Sequence, residues 1–211
     1  MRTLFKIAAW TSVALGVVLG GLYAFFFDVW TLPVDDPMMS VSVEPTVSAG
    51  DVLVVTRGSS IDYGELVRCA DPQAPGRFVV ARAMAHAGES LDIENELVAV
   101  DRRRNPSPHA CKEVQRTLRD PRYGVDVNLV CSVEDFGAVE FDALRSANET
   151  VPATHVTVEP GRWFLVSDDR HLHVDSRDYG SVESKTCQHI LFRIVSARGL
   201  RDSDARFSII W

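Results

Sequence analysis

Two stretches of the 211-residue chain carry side chains whose types and spacing could do chemistry. The first, Ser40-Val41-Ser42-Val43-Glu44-Pro45-Thr46-Val47-Ser48-Ala49-Gly50-Asp51, offers closely spaced hydroxyls just ahead of an apolar run. The second, Asp168-Asp169-Arg170-His171-Leu172-His173-Val174-Asp175-Ser176-Arg177-Asp178-Tyr179-Gly180, follows an apolar run and is mostly polar or charged. Such groups are expensive to bury without partners, so this stretch must be a hydrogen-bonded scaffold or an exposed loop. A serine hydroxyl is a weak nucleophile until a base takes its proton. Imidazole is a competent general base at neutral pH. His171 and His173 both fall in the second stretch, and His171 is expected to face solvent. No C-x-x-C or H-x-x-x-H spacing argues for a metal site, and no cofactor is expected.

The elements that must position these groups are short strands. Val52–Thr56, Leu66–Cys69, Arg77–Val80, Leu97–Val100 and Arg162–Val166 are brief β-like runs. They are bounded by turn formers such as Ala49-Gly50-Asp51, Ala74-Pro75-Gly76 and Glu159-Pro160-Gly161. Beyond residue 37, Cys111–Leu118 is the one stretch with a helical period. The pattern predicts a mainly β domain with one long insertion and no internal repeat. Four cysteines allow three pairings, of which Cys111–Cys131 inside the insertion is preferred. The formal net charge of -7 argues against a nucleic-acid partner.

At the N-terminus, Arg2 and Lys6 precede an uncharged run from Ile7 to Phe27, with Trp10, Tyr23 and Trp30 near its ends. A helix of about 20 residues spans the hydrocarbon core, and aromatic residues favour its two interfaces. The basic flank places the N-terminus in the cytoplasm and the remainder outside. A cleaved signal peptide has a shorter apolar core and ends in small residues, whereas this run ends in Phe25-Phe26-Phe27, so a retained anchor is expected. The expected organisation is a cytoplasmic N-terminus over 1–6, an anchor over 7–27 and a linker over 28–37. An exported domain follows over 38–211, with its insertion at about 105–155.

In order along the chain, the motifs resemble those of type I signal peptidases, membrane-anchored serine endopeptidases that remove signal peptides from exported proteins. Residues 40–47 resemble the family's S-G-S-M-x-P-T-L box, and Gly50-Asp51 its following G-D. Asp168, Arg170, Asp175, Ser176, Arg177 and Gly180 match the late G-D-N-R-x-x-S-x-D-S-R-x-x-G box. Val158–Phe164 is similar to V-P-P-G-x-Y-F, and Tyr63–Val67 to R-G-D-I-V. The resemblance implies a signal-peptidase-I-like β domain behind one N-terminal transmembrane helix, on the outer face of the inner membrane. Its partners would be preprotein signal peptides and membrane lipid, with the oligomeric state open. Ser42 would be the nucleophile, and Ser40 would help the Ser42 N–H stabilise the oxyanion. Asp175 and Arg177 would form a scaffold pair, with Asp168 and Ser176 in the same framework.

One departure decides the mechanism. The family's base is a lysine within K-R-x-I-G-x-P-G-D, and the matching stretch here is Ala81-Arg82-Ala83-Met84-Ala85-His86-Ala87-Gly88-Glu89. Ala81 therefore stands where the lysine should be. A slip of one residue would supply Arg82, whose guanidinium keeps its proton. The three lysines, Lys6, Lys112 and Lys185, do not align with the base. The family serine that hydrogen-bonds the lysine is His173 here. Base and partner have thus changed together. Two readings follow. In the first, the base has moved to give a Ser42–His173–Asp175 arrangement, with His86 a lesser candidate. Relatives of the endoplasmic reticulum use a histidine at the lysine position, a partial precedent. In the second, catalysis is lost and a membrane-tethered pseudo-peptidase binds signal peptides or a partner protein, by strand addition. A conjugation-type processing peptidase and a soluble hydrolase are narrower alternatives. Val43 replaces the pocket methionine of the family, which leaves the cleavage preference open, and Arg102-Arg103-Arg104 reads as a solvated charge cluster.

Overall fold

The structure is a computed structural model that describes residues 2–210 apart from positions 59, 149, 150 and 204. Side chains at positions 2–9, 11, 19 and 22 also lie outside the described residues. The chain opens with helix α1 (Arg2–Phe26) and passes directly into strand β1 (Phe27–Thr31). Among the described residues no helix is long and apolar enough to cross a membrane. The span expected over residues 7–27 therefore rests on the sequence run.

A short helix, α2 (Pro37–Ser42), follows. Proline at its first position suits helix initiation, because the missing N–H would be unpaired there anyway. Asp36 caps it, accepting from Met39 N at 3.0 Å. Next come β2 (Val52–Thr56), β3 (Leu66–Ala70), β4 (Phe78–His86), β5 (Ser90–Glu94) and β6 (Leu97–Val100). Then β7 (Gln115–Arg119), β8 (Asp126–Asp135), β9 (Glu140–Ser146), β10 (Thr154–Thr157) and β11 (Arg162–Val166) lead to helix α3 (Ser176–Tyr179). The chain closes with β12 (Val182–Glu183), a turn of 3₁₀ helix, β13 (Gln188–Val195) and β14 (Ser208–Ile209).

The main sheet runs β1-β2-β13-β3-β4-β11-β12, with β14 beside β13. Two three-stranded sheets, β10-β5-β6 and β7-β8-β9, lie beside it, and the second falls within the expected insertion. The mainly β class is as expected. One local expectation fails: Gln115–Arg119 is a strand rather than part of a helix. It pairs with β8 from Gln115↔Val130 to Arg119↔Asp126, and long-range pairing overrides the local period. Cys111–Cys131 closes the insertion, and Cys69–Cys187 ties β3 to the residue before β13.

Three apolar clusters form the core. Alternation along β4 sends Val79, Ala81 and Ala83 into one cluster with Val67, Cys69, Trp163, Leu165 and Cys187. Val80, from the opposite face, joins Met39, Val43 and Val47 of the α2 region. The third cluster joins all three sheets through Met84, Leu91, Phe141 and Phe164. Gly64, in the turn before β3, has φ +77, and a Cβ there would lie 3.3 Å from both Phe136 and Phe141 side-chain atoms.

Candidate active site

Ser42 is the last residue of α2 and is fully buried. Its Oγ donates to Met39 O at 2.9 Å, one turn back, and its carbonyl accepts from Asp169 N at 3.0 Å. Ser40 lies two positions earlier on the same helical turn and is partly buried. Residues at that spacing do not face each other on a helix.

The helix and the late segment are both held from β4. Arg82 is completely buried and pairs with Asp168, Nε to Oδ1 at 2.9 Å and Nη2 to Oδ2 at 3.3 Å. It also donates to Gly64 O and Thr46 Oγ1, each at 2.9 Å, and packs over the Phe141 ring at 4.2 Å. This one guanidinium therefore joins the loop behind Ser42, the turn before β3 and the end of β11. Ala81 faces away from that network, in the cluster under Trp163 and the Cys69–Cys187 bridge. Arg77, just before β4, adds an ion pair at 2.6 Å to Asp36, the cap of α2.

Beyond β11 the backbone turns on Asp175. Its carboxylate caps α3, accepts from Ser167 N at 2.8 Å and takes a bidentate pair from Arg177, at 2.9 and 2.7 Å. Burial pushes the Asp175 carboxyl up, but the Arg177 charge and hydrogen bonds outweigh it and hold the group below its usual value. Ser176 Oγ accepts from Leu165 N at 2.9 Å, and Arg177 reaches Arg170 O at 2.9 Å. These contacts join Asp175, Arg177 and Ser176 to the strand they follow.

His173 Nδ1 lies 2.9 Å from Asp178 Oδ2 and 3.9 Å from Asp175 Oδ1. An ionised carboxylate can only accept, so Nδ1 carries the hydrogen and Nε2 is the ring's acceptor in its neutral form. Among the described residues Nε2 makes no hydrogen bond, and none joins His173 to Ser42. His86 ends β4, half exposed, in an aromatic group with Tyr63 and Trp163 at 5.3 and 5.4 Å.

His171 is not at the surface as expected. Its side chain is 9% exposed, and Nδ1 lies 2.7 Å from Glu96 Oε1. Glu96 is supplied by the β5–β6 turn, 75 residues away. Sequence reasoning also missed Asp169. It is buried, its Oδ1 accepts from His171 N and Leu172 N, and its Oδ2 has no partner. Burial pushes the Asp169 carboxyl up to about 7, against the pull of those two amides. A third residue missed was Glu44, two positions after Ser42, which accepts from Arg116 of β7 at 2.9 Å and from Ser48 Oγ at 2.5 Å. Charge alternation in the sequence gave no sign of these partners. His173, Asp175 and Asp178 also offer ligand atoms within 4.8 Å of one another, but Asp175 is already fully engaged by Arg177 and Ser167.

The mainly β framework thus presents a buried serine on a short helix, a histidine beside two carboxylates and a strand braced by a buried arginine. The family model described as "Signal peptidase, peptidase S26" matches residues 6–190. The chain therefore belongs to the signal peptidase family. It is similar to proteins named "Signal peptidase I" from two strains of Streptococcus pneumoniae, one of serotype 4. Each is 23% identical over 154 residues, which cover 68% of this chain and 72% of the relative.

Proposed function

We propose that this domain cleaves signal peptides from exported preproteins at a membrane surface, with Ser42 as nucleophile and His173 as the relocated general base. The observation that carries the reading is the orientation of His173. Carboxylates hold its Nδ1 side, leaving Nε2 to take a proton, as the base of a serine triad requires. Ser42 Oγ would exchange its bond to Met39 O for one to Nε2 as substrate binds, since catalytic hydrogen bonds often tighten only in the complex. Ser40 and the Ser42 N–H would then receive the oxyanion. The Asp175–Arg177 pair fixes the loop that carries the histidine.

The substrate would enter as a strand. β3 covers Phe78–Arg82 of β4, whereas β11 covers only Arg82–His86 on the other side. Among the described residues no strand pairs with the second edge of Phe78–Ala81. An extended peptide fits such an edge by main-chain hydrogen bonds. The anchor belongs to the same proposal, supported by the uncharged run from Ile7 to Phe27, all but its last residue in the 25-residue helix α1. Extraction of the full-length chain from membranes by detergent, but not by alkaline carbonate, is the expected result for the anchor.

A second reading, binding without cleavage, is favoured by the burial of Ser42 and its bond to Met39 O. Preprotein cleavage by the detergent-purified chain separates the two. Loss of turnover in both Ser42→Ala and His173→Ala supports the dyad. An active His173→Ala variant eliminates this base.

A further inference from the structure

The turn between β5 and β6 is built from the wrong residue for its shape. Asn95 and Glu96 both have positive φ, +51 and +63. A two-residue turn of this kind favours Asn-Gly, because a side chain at the second position is strained. Yet position 96 is a glutamate whose residue is only 1% exposed. Turn formation does not explain that choice.

Its contacts do. Glu96 Oε1 faces His171 Nδ1 at 2.7 Å, while Oε2 accepts from Ser146 N at 2.6 Å. The carboxylate thus joins the tip of one sheet to the end of β9 and to the segment behind the nucleophile. That segment is short and held by several hydrogen bonds. Asp169 Oδ1 accepts from His171 N at 2.9 Å and from Leu172 N at 2.8 Å. The Asp169 N–H then donates to the carbonyl of Ser42. Asp168 O and Arg170 N pair with Leu144, also on β9, at 2.8 Å each. A path of hydrogen bonds therefore runs from Glu96 through His171 and Asp169 to Ser42 itself.

We infer that Glu96 is a positioning residue, whose carboxylate clamps the Asp169–Leu172 segment and so sets the placement of Ser42. The catalytic part of this inference rests on the signal-peptidase reading above; the clamp does not. Misplacing a reacting group by about 1 Å can cost about 100-fold in rate.

Glu96→Gly tests it, because glycine suits the turn and removes the clamp. In the full-length chain the variant is expected to fold, the strain it removes from the turn being set against the acceptor lost by Ser146 N and His171 Nδ1. Amide exchange at Asp169 should accelerate by about tenfold or more, and kcat for preprotein cleavage should fall by a similar factor with KM within about twofold. Glu96→Gln keeps an oxygen acceptor and should restore most of both. If the parent chain does not cleave, the catalytic reading falls, and the Asp169 exchange rate alone decides the clamp. Unchanged exchange in a folded Glu96→Gly variant would overturn the inference. So would failure of that variant to fold, which would make Glu96 a determinant of the fold rather than of Ser42 placement.

Discussion

Asp168→Asn is the substitution whose cost follows most directly from the structure. Both partners of the Arg82–Asp168 pair are fully buried, so the asparagine would strip a buried guanidinium of its bidentate carboxylate partner. Removing one member of such a pair costs about 3–5 kcal/mol. Arg82 keeps its bonds to Gly64 O and Thr46 Oγ1 and its place over the Phe141 ring, which puts the cost near the lower end. About 3 kcal/mol corresponds to a fall of about 6–12 °C in the melting temperature of a chain this size. Tryptophan fluorescence of the full-length chain in detergent would follow the transition, with scan rate varied to check reversibility. The double variant Arg82→Met/Asp168→Leu should melt above Asp168→Asn, because neither charge is then stranded. A shift below about 2 °C for Asp168→Asn would mean that the pair is not buried as described, and the reasoning would be refuted.

Other expectations follow from single groups. The Asp169 carboxyl, raised to about 7 from 3.8, holds a proton in the folded chain that the unfolded chain releases. Its contribution to stability therefore declines as pH rises from about 4 to about 7, and Asp169→Asn should flatten that part of a stability–pH curve. The Cys69–Cys187 bridge spans 118 residues and the Cys111–Cys131 bridge 20. Loop entropy then assigns about 5 and about 3 kcal/mol to them, so double serine replacement of the first pair should lower the melting temperature more. Gly64→Ala must combine a strained φ with contacts at 3.3 Å, and a loss of at least about 1 kcal/mol is expected from denaturant unfolding.

Local signals in the sequence were enough for several of the strands. Val52–Thr56 and Leu97–Val100 are strands with the expected bounds, because their apolar residues and flanking turns agree with their tertiary setting. Arg82 pairs with Asp168, another residue of the quoted motifs. The Asp175–Arg177 pair was equally legible, being two residues apart. Interactions across long separations were not. Nothing near His171 announces a partner at Glu96, and so a histidine in a polar run read as exposed. The period of Cys111–Leu118 suggested helix because its pairing with β8 is invisible locally. The same limit hides the grip of Arg116 on Glu44, through which the insertion touches the loop behind Ser42.

The central claim is that a serine–histidine pair acts on signal peptides here. Preprotein cleavage by the detergent-purified chain, measured from pH 5 to 10 beside Ser42→Ala and His173→Ala, tests it most directly. Cleavage by the parent chain that vanishes in both variants is the expected result. Absence of cleavage by a folded chain that still binds the preprotein, or cleavage that survives His173→Ala, would contradict it.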